Sequence, residues 1–342
     1  AGLLCLLVRL SRLPPLHQSL AMQRSLAVAF ALVGASRAGA IHGKTLINDL
    51  DQIAWLNKAV DKSTWVAGVN SFFEGMTFED ARPLLGTELS HIADHLDEVL
   101  PEGAYDSKAE IPTEFDAMTQ WSGLIHPIRD QQRCGSCWAF SAAEVLSDRM
   151  AIASGRASPM LSPEDMVSCD GGDMGCDGGR LASAWSYLKN TGIVSDACFP
   201  YAAGNGTAPT CPQKCADGEA WSSSKVKASS VYAINGAASM QQEIMTKGPI
   251  QVAFQVYKSF MSYKSGVYQK HFYEFIPEGG HAVKAVGWGT ENGVDYWLVA
   301  NSWNTSWGMD GFFKIRRGSN ACGIEKSGPP YAGVPAASTV VV

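Results

Sequence analysis

Apolar residues keep more than one rhythm along this chain. From Trp138 to Ile152 they fall on nearly every side: Trp138, Ala139, Phe140, Ala142, Ala143, Val145, Leu146, Met150 and Ile152. That pattern predicts a helix buried on all faces, with Gly155 as its stop. After the small residues Gly279-Gly280, the run His281 to Gly289 reads as a strand. Tyr296-Trp297-Leu298-Val299-Ala300 predicts another. Nearer the N-terminus, Ile53, Leu56 and Val60 recur at helical spacing.

Charge divides the chain. Residues 41–110 hold thirteen Asp/Glu against five Lys/Arg, whereas residues from 111 onward hold twenty against eighteen. The acidic block has few long apolar runs, so it makes a poor core alone. Its aromatics Trp55, Trp65, Phe72 and Phe73 are expected to pack against the rest. The whole chain, 342 residues with net charge −6, gives no electrostatic case for nucleic acid. Met22-Gln23-Arg24, the apolar run Leu26–Gly34 and Ala38-Gly39-Ala40 predict a secretory signal peptide, with Met22 as the start. That run is too short to span a bilayer. Eight of nine cysteines lie after residue 130, which predicts disulfides and an oxidising compartment. His91 and His95 stand at i, i+4, but Ile92 replaces the glutamate of a zinc-protease motif. They are read as a solvated helix face, and no metal or cofactor is expected.

Cys137 falls at the start of the buried helix, where unpaired N–H groups and the helix dipole favour an anion. A thiolate is the anion a cysteine can supply, and such surroundings lower its pKa. A thiolate nucleophile needs a base, and the base needs an orienter. His281 sits among small residues at the head of a strand, and Asn301 follows the strand at 296–300. Trp303 could shield an imidazole–amide hydrogen bond from water. Cys134 and Cys137 also form C-x-x-C, the pattern of a thiol-disulfide oxidoreductase or half of a zinc site. The oxidoreductase reading lacks a βαβ context.

Gln131-Gln132-Arg133-Cys134-Gly135-Ser136-Cys137-Trp138-Ala139-Phe140 and Tyr296-Trp297-Leu298-Val299-Ala300-Asn301-Ser302-Trp303-Asn304-Thr305-Ser306-Trp307-Gly308 resemble the papain-like cysteine proteases, specifically the cathepsin B-like subgroup. Cys137 and His281 are 144 residues apart, within the family's spacing of about 130–150. The resemblance covers about residues 45–335. It implies a two-lobe α+β fold, with a helical lobe on the Cys137 helix and a β-barrel-like lobe carrying His281 and Asn301. Cys137 then resembles the nucleophile, His281 the base and acid, and Asn301 the orienter. Gln131 and the Cys137 N–H resemble the oxyanion donors. The family has glycine where Gln132 stands.

The resemblance also implies the disulfides Cys134–Cys176, Cys169–Cys211 and Cys198–Cys215, leaving Cys137 and Cys322 free. Gly178 and Gly179 resemble the loop that pairs with substrate backbone, after Asp177 where Asn is usual. Trp303 and Ser327 resemble substrate-site residues, Ser327 at the base of an apolar S2 pocket. The implied organisation is a leader (1–40), an inhibitory propeptide (41–108), a peptidase domain (109–335) and a tail (336–342). The propeptide would run along the cleft in reverse and would be cut near Lys108. Its carboxylates suggest release in acid. Expected partners are peptide and protein substrates and the chain's own propeptide, with the protein a monomer. The Cys198–Cys211 interval lacks histidine and the extra cysteines of the cathepsin B occluding loop. An endopeptidase rather than a dipeptidyl carboxypeptidase is therefore expected, in a lysosome, a vacuole or outside the cell.

Overall fold

The structure, a computed structural model, describes residues 44–58, 64–89, 99–100, 110–326 and 329–337. The leader, His91, His95, the cut near Lys108 and Ser327 lie outside the described residues. Contacts divide the chain after Thr45, and the account below concerns the unit Leu46–Val342.

Helix α2 (Cys137–Ser154) is the centre of the fold; helix α1 (Leu50–Lys58) precedes it in the acidic block. Every residue of α2 from Cys137 to Ala151 is buried, as its all-round apolar pattern demands. Gly155 ends it in the left-handed conformation at φ 67°, and its N–H returns to the Ala151 carbonyl. Helices α3 (Pro163–Cys169) and α4 (Leu181–Asn190) pack beside α2.

One sheet of ten strands forms the other half. It comprises β1 (Trp65–Ala67), β2 (Val99–Leu100), β3 (Phe115–Asp116), β4 (Ala228–Ile234), β5 (Ile250–Val256), β6 (Tyr263–Tyr268), β7 (Gly279–Glu291), β8 (Val294–Ala300), β9 (Phe312–Arg316) and β10 (Tyr331–Pro335). Their order is β1-β6-β9-β8-β7-β5-β10-β4-β2, with β3 on β7. β7 is antiparallel to both β5 and β8, which fixes His281 opposite Phe254.

Buried charge joins the two halves. Lys284 on β7 donates to Asp148 Oδ2 on α2 at 2.8 Å and lies 3.4 Å from Glu144. All three are buried, so removing one would strand the others. This tie lies three residues after His281 and fixes that stretch of β7 against the Cys137 helix.

The acidic block does pack on the rest. β1 adds to the edge of β6. The Trp65 indole N–H donates to the Gln269 carbonyl at 3.0 Å, and its ring lies 5.0 Å from Tyr268. Asn70 donates to the Met261 and Tyr263 carbonyls and accepts from the Gly308 N–H. Trp55 meets Tyr273 at 5.1 Å.

Candidate active site

Cys137 is the first residue of α2. Ser136 caps the helix without a side-chain hydrogen bond to it; its hydroxyl meets Tyr201 instead. The helix-end N–H groups beside the thiol thus have no side-chain cap. His281 lies near the start of β7, and the next residue, Ala282, directs a backbone hydrogen bond at the thiol. His281 Nε2 lies 2.7 Å from Asn301 Oδ1, which also accepts from the Ser302 N–H at 2.9 Å. Because the amide oxygen can only accept, His281 carries its hydrogen on Nε2. Nδ1 is then the free lone pair, buried and without a hydrogen-bond partner among the described residues. Trp303 stacks on the imidazole at 4.7 Å and 26°, covering the pair as expected.

The charge state differs from the sequence-based expectation. Burial raises the Cys137 pKa, and burial lowers that of His281 to about 4. In this state the pair is a neutral thiol and a neutral imidazole. The segment Leu84–Glu88 contributes to that burial, lying on the thiol and on the Gln131 amide. Thr87 Oγ1 lies 3.0 Å from Cys137 Sγ. Phe72 stacks on the outer face of Trp303 at 6.2 Å, and Phe73 meets it edge-on at 5.4 Å. Water excluded this way penalises any charge inside.

Gln131 is buried beside the thiol loop. Its Nε2 donates to the Cys134 carbonyl at 2.8 Å and to the Leu84 carbonyl at 3.0 Å, while Ser302 Oγ donates to its Oε1 at 2.8 Å. One hydrogen of the amide is thus anchored internally, and the other serves the incoming segment. Gln132 adopts φ 53°, the left-handed conformation that glycine holds most easily. Space for its side chain comes from Gly204: a Cβ there would lie 2.2 Å from Gln132 Oε1.

Gly178 and Gly179 form the rail on the other side. The Gly179 N–H donates to the Gly86 carbonyl at 2.9 Å, and the Glu88 N–H donates to the Gly179 carbonyl at 3.0 Å. Thr87 pairs with Gly179 in parallel sense, and Gly86 pairs in parallel sense with Gly280. A side chain at Gly86 would strike the Gly135 carbonyl at 1.9 Å, so only glycine threads this gap. Beyond it a pocket is lined by Leu89, Leu181, Ala182, Ala253, Pro329 and Tyr331, with Glu88 and Arg180 at its margin. Glu325 does not reach it: its carboxylate accepts from the Trp297 indole and the Gly318 and Asn320 N–H groups.

Disulfides join Cys134 to Cys176, Cys169 to Cys211 and Cys198 to Cys215. Cys137 and Cys322 are free. Cys134 is therefore committed elsewhere, and the C-x-x-C spacing is not a redox pair here. No group of metal-ligating side chains occurs among the described residues.

Sequence reasoning left Thr87, Ser302 and Arg180 without roles. Thr87 falls within residues 41–108, and the reading of that block as an inhibitory propeptide is the one available signal. Arg180 directly follows the two glycines of the rail.

The family model described as papain family cysteine protease matches residues 111–329. "Cathepsin B-like CP2" of Giardia intestinalis is 42% identical over 295 residues, covering 84% of this chain and 93% of that protein. A "Gut-specific cysteine proteinase" of Caenorhabditis elegans is 43% identical over 259 residues, 69% of this chain and 78% of its own length. Among solved structures, "proCathepsin B S9 from Trypanosoma congolense" aligns with TM-score 0.75 at 32% identity, covering 85% of this chain and 99% of that one.

Proposed function

Because the chain belongs to the papain family of cysteine proteases, we propose that it is a cysteine endopeptidase made as a zymogen and blocked by its own N-terminal segment. The observation that carries this is the joint occupation of three groups by one stretch of chain. Thr87 meets the Cys137 thiol, Leu84 takes the Gln131 amide, and Gly86 and Glu88 pair with Gly179. Residues 41–108 act as the propeptide, and the peptidase domain begins near residue 109.

Once that segment leaves, water enters and the proton of Cys137 Sγ passes to His281 Nδ1. The thiolate attacks the scissile carbonyl carbon, and the carbonyl oxygen becomes an anion facing Gln131 Nε2 and the Cys137 N–H. His281 returns its proton to the leaving amine, giving an acyl-thioester. It then takes a proton from the water that releases the acid and restores the thiol. Asn301 holds the imidazole through Nε2, and Trp303 keeps that bond dry.

The endopeptidase assignment rests on the stretch between Cys198 and Cys211. It has twelve residues and contains no histidine, lysine or arginine. It is also tied down: the Ala202 and Ala203 N–H groups donate to Glu164 Oε2 at 2.7 and 2.8 Å, and the Arg133 N–H donates to the Gly204 carbonyl. Such a stretch offers no cation to a substrate's C-terminal carboxylate, so long peptides can pass. The three disulfides support an oxidising compartment, read here as the secretory pathway with a lysosomal, vacuolar or extracellular end point. The test is a C-terminally amidated peptide and its free-acid twin, given to the acid-matured enzyme. Internal cleavage of both at similar rates is expected. Stepwise release of C-terminal dipeptides from the free acid alone would replace this reading with a dipeptidyl carboxypeptidase.

A further inference from the structure

We propose that Asp173 is a positioning residue for substrate: its enclosed carboxyl seats the Gly178-Gly179 rail from beneath, and its protonation tightens that seat. The proposal rests on the reading of Gly178-Gly179 as the substrate rail. The rail belongs to the connection 170–180 between α3 and α4. Its backbone groups divide into two sets. Those of Gly179 serve the chain in the cleft: its N–H donates to the Gly86 carbonyl, and its carbonyl accepts from the Glu88 N–H. Those on either side are spent within the connection. The Gly178 carbonyl accepts from the Met174 N–H at 2.9 Å, and the Arg180 N–H donates to Asp173 Oδ1 at 3.0 Å. Residues 173 and 174 thus hold the rail at both ends.

The seat is close and dry. The Asp173 side chain is 1% exposed. A Cβ on Gly179 would lie 2.9 Å from Asp173 Cγ and 2.5 Å from Trp138 Cδ2. The rail therefore rests directly on this carboxyl and on the indole of the residue after Cys137. Asp173 Oδ2 is buried without a hydrogen-bond partner among the described residues, and Ser183 of α4 is the neutral polar group beside the carboxyl. An acid with a free oxygen is thus packed against the backbone that pairs with the occupant of the cleft, and the mechanism above gives it no task.

The charged and titratable groups around it are Asp170 and Arg180. Asp170 Oδ1 accepts from the Gly172 N–H at 2.9 Å, and its Oδ2 is also buried and unpartnered among the described residues. Arg180 Nε lies 3.9 Å from Asp173 Oδ1 and 4.0 Å from Glu88. Burial raises Asp173 from 3.8 to about 6; the Arg180 N–H opposes the rise and the charge of Asp170 adds to it. Burial raises Asp170 as well, with Asp165 acting in the same direction. If the connection swings out to water, the Asp173 carboxyl regains its ordinary value. Between 3.8 and 6 the seated carboxyl keeps a proton that the open one has lost. The seat therefore weakens as pH rises through that window and is weakest above it, so the rail is firmest in acid.

The experiment measures KM and kcat for one C-terminally amidated peptide at pH 5 and pH 7, with enzyme matured from the full chain. Asp173→Ala removes the acceptor of the Arg180 N–H and should raise KM about three- to tenfold at pH 5, with the loss in KM rather than kcat. Asp173→Asn keeps that acceptor and cannot ionise. It should recover most of the loss at pH 5. The ratio of wild-type KM to that of Asp173→Asn should then rise by up to about tenfold from pH 5 to pH 7, since about one pH unit of the window lies in that interval. Taking the ratio cancels the titration of Cys137 and His281, which both enzymes share. A flat ratio, or an alanine variant that loses kcat alone or keeps the wild-type KM, would overturn the proposal while leaving the protease assignment intact. Failure of the wild type to cleave the peptide would overturn both.

Discussion

If the neutral thiol–imidazole pair is a product of the covering segment, the zymogen should open in acid because of one side chain. In the closed state His281 has its pKa near 4, against an ordinary 6.5, and burial is the cause. An opened, wetted imidazole regains the ordinary value. With serine at 137 no thiol proton can pass to the ring, so above pH 6.5 it is neutral in both states and pH does nothing. Between 6.5 and 4 the open state binds a proton that the closed state refuses, so closure weakens as pH falls. Below 4 both states are protonated and the effect levels off. The gap corresponds to about 3 kcal/mol, or roughly a 300-fold change in the opening constant. Among the described carboxylates of the blocking segment, Asp80 is the one whose pKa is lowered, and it is the exposed partner of Thr77 in a helix-capping box. The assay is amide exchange of β1 and β6, corrected for intrinsic rates, in full-length Cys137→Ser protein that cannot process itself. Opening should rise about tenfold for each pH unit between 6.5 and 4. The slope should flatten when His281→Gln is added. An equal slope with Gln at 281, or none in the parent, would refute the argument.

Other outcomes follow from the same contacts. Cys137→Ser should abolish peptide hydrolysis and leave the melting temperature nearly unchanged; residual turnover above a trace would remove Cys137 as nucleophile. Asn301→Ala should cost less than loss of either partner, chiefly in kcat, because the imidazole loses orientation and keeps its lone pair. Phe73 is fully buried against Trp303, so Phe73→Ala should weaken closure by about 3 kcal/mol and give zymogen that matures at neutral pH; matching maturation rates would argue against this lock. Of the sequons at Asn205 and Asn304, the first should carry sugar in a glycosylating host. Asn304 Nδ2 is already engaged by Asp130 Oδ2 at 3.2 Å, and mass spectrometry showing sugar on Asn304 alone would reverse the ranking.

Local pattern made the central elements legible. The all-round apolar run from Trp138 appears as α2, with Gly155 as its stop, because burial on every side leaves few alternatives. The strand after Gly279 and that at 296–300 appear as β7 and β8. Period cannot reveal what occupies a cleft. The expectation of a thiolate followed from the helix end and a nearby imidazole, and local pattern does not show the covering contacts that Thr87, Phe72 and Phe73 make from fifty or more residues away. Gln132 shows the opposite lesson. The residue that stands where the motif has glycine adopts the left-handed backbone glycine holds most easily, and the room for its side chain, at Gly204, lies too far along the chain for local reading.

A peptide lodged in a protease must also avoid being cut, and the contacts suggest how this one does. On the proposed mechanism a single carbonyl must offer its carbon to the Cys137 thiol and its oxygen to Gln131. Here those two positions are met by different residues. The oxygen on Gln131 Nε2 belongs to Leu84, whereas the thiol meets the side-chain hydroxyl of Thr87, three residues on. A hydroxyl carries no electrophilic carbon, and the carbonyls around it are spent on the rail: that of Gly86 accepts from Gly179. The parallel pairing with Gly179 and Gly280 holds this mismatch in register. Sliding by one residue would put a side chain where Gly86 passes the Gly135 carbonyl, and the gap admits none. Gly86 thus fixes the frame in which Thr87 can face the thiol without being attacked. Gly86→Ala should therefore expel the segment rather than shift it, appearing as zymogen active toward small peptides before any cleavage. Zymogen that remained silent and intact with alanine at 86 would show that the register is set elsewhere.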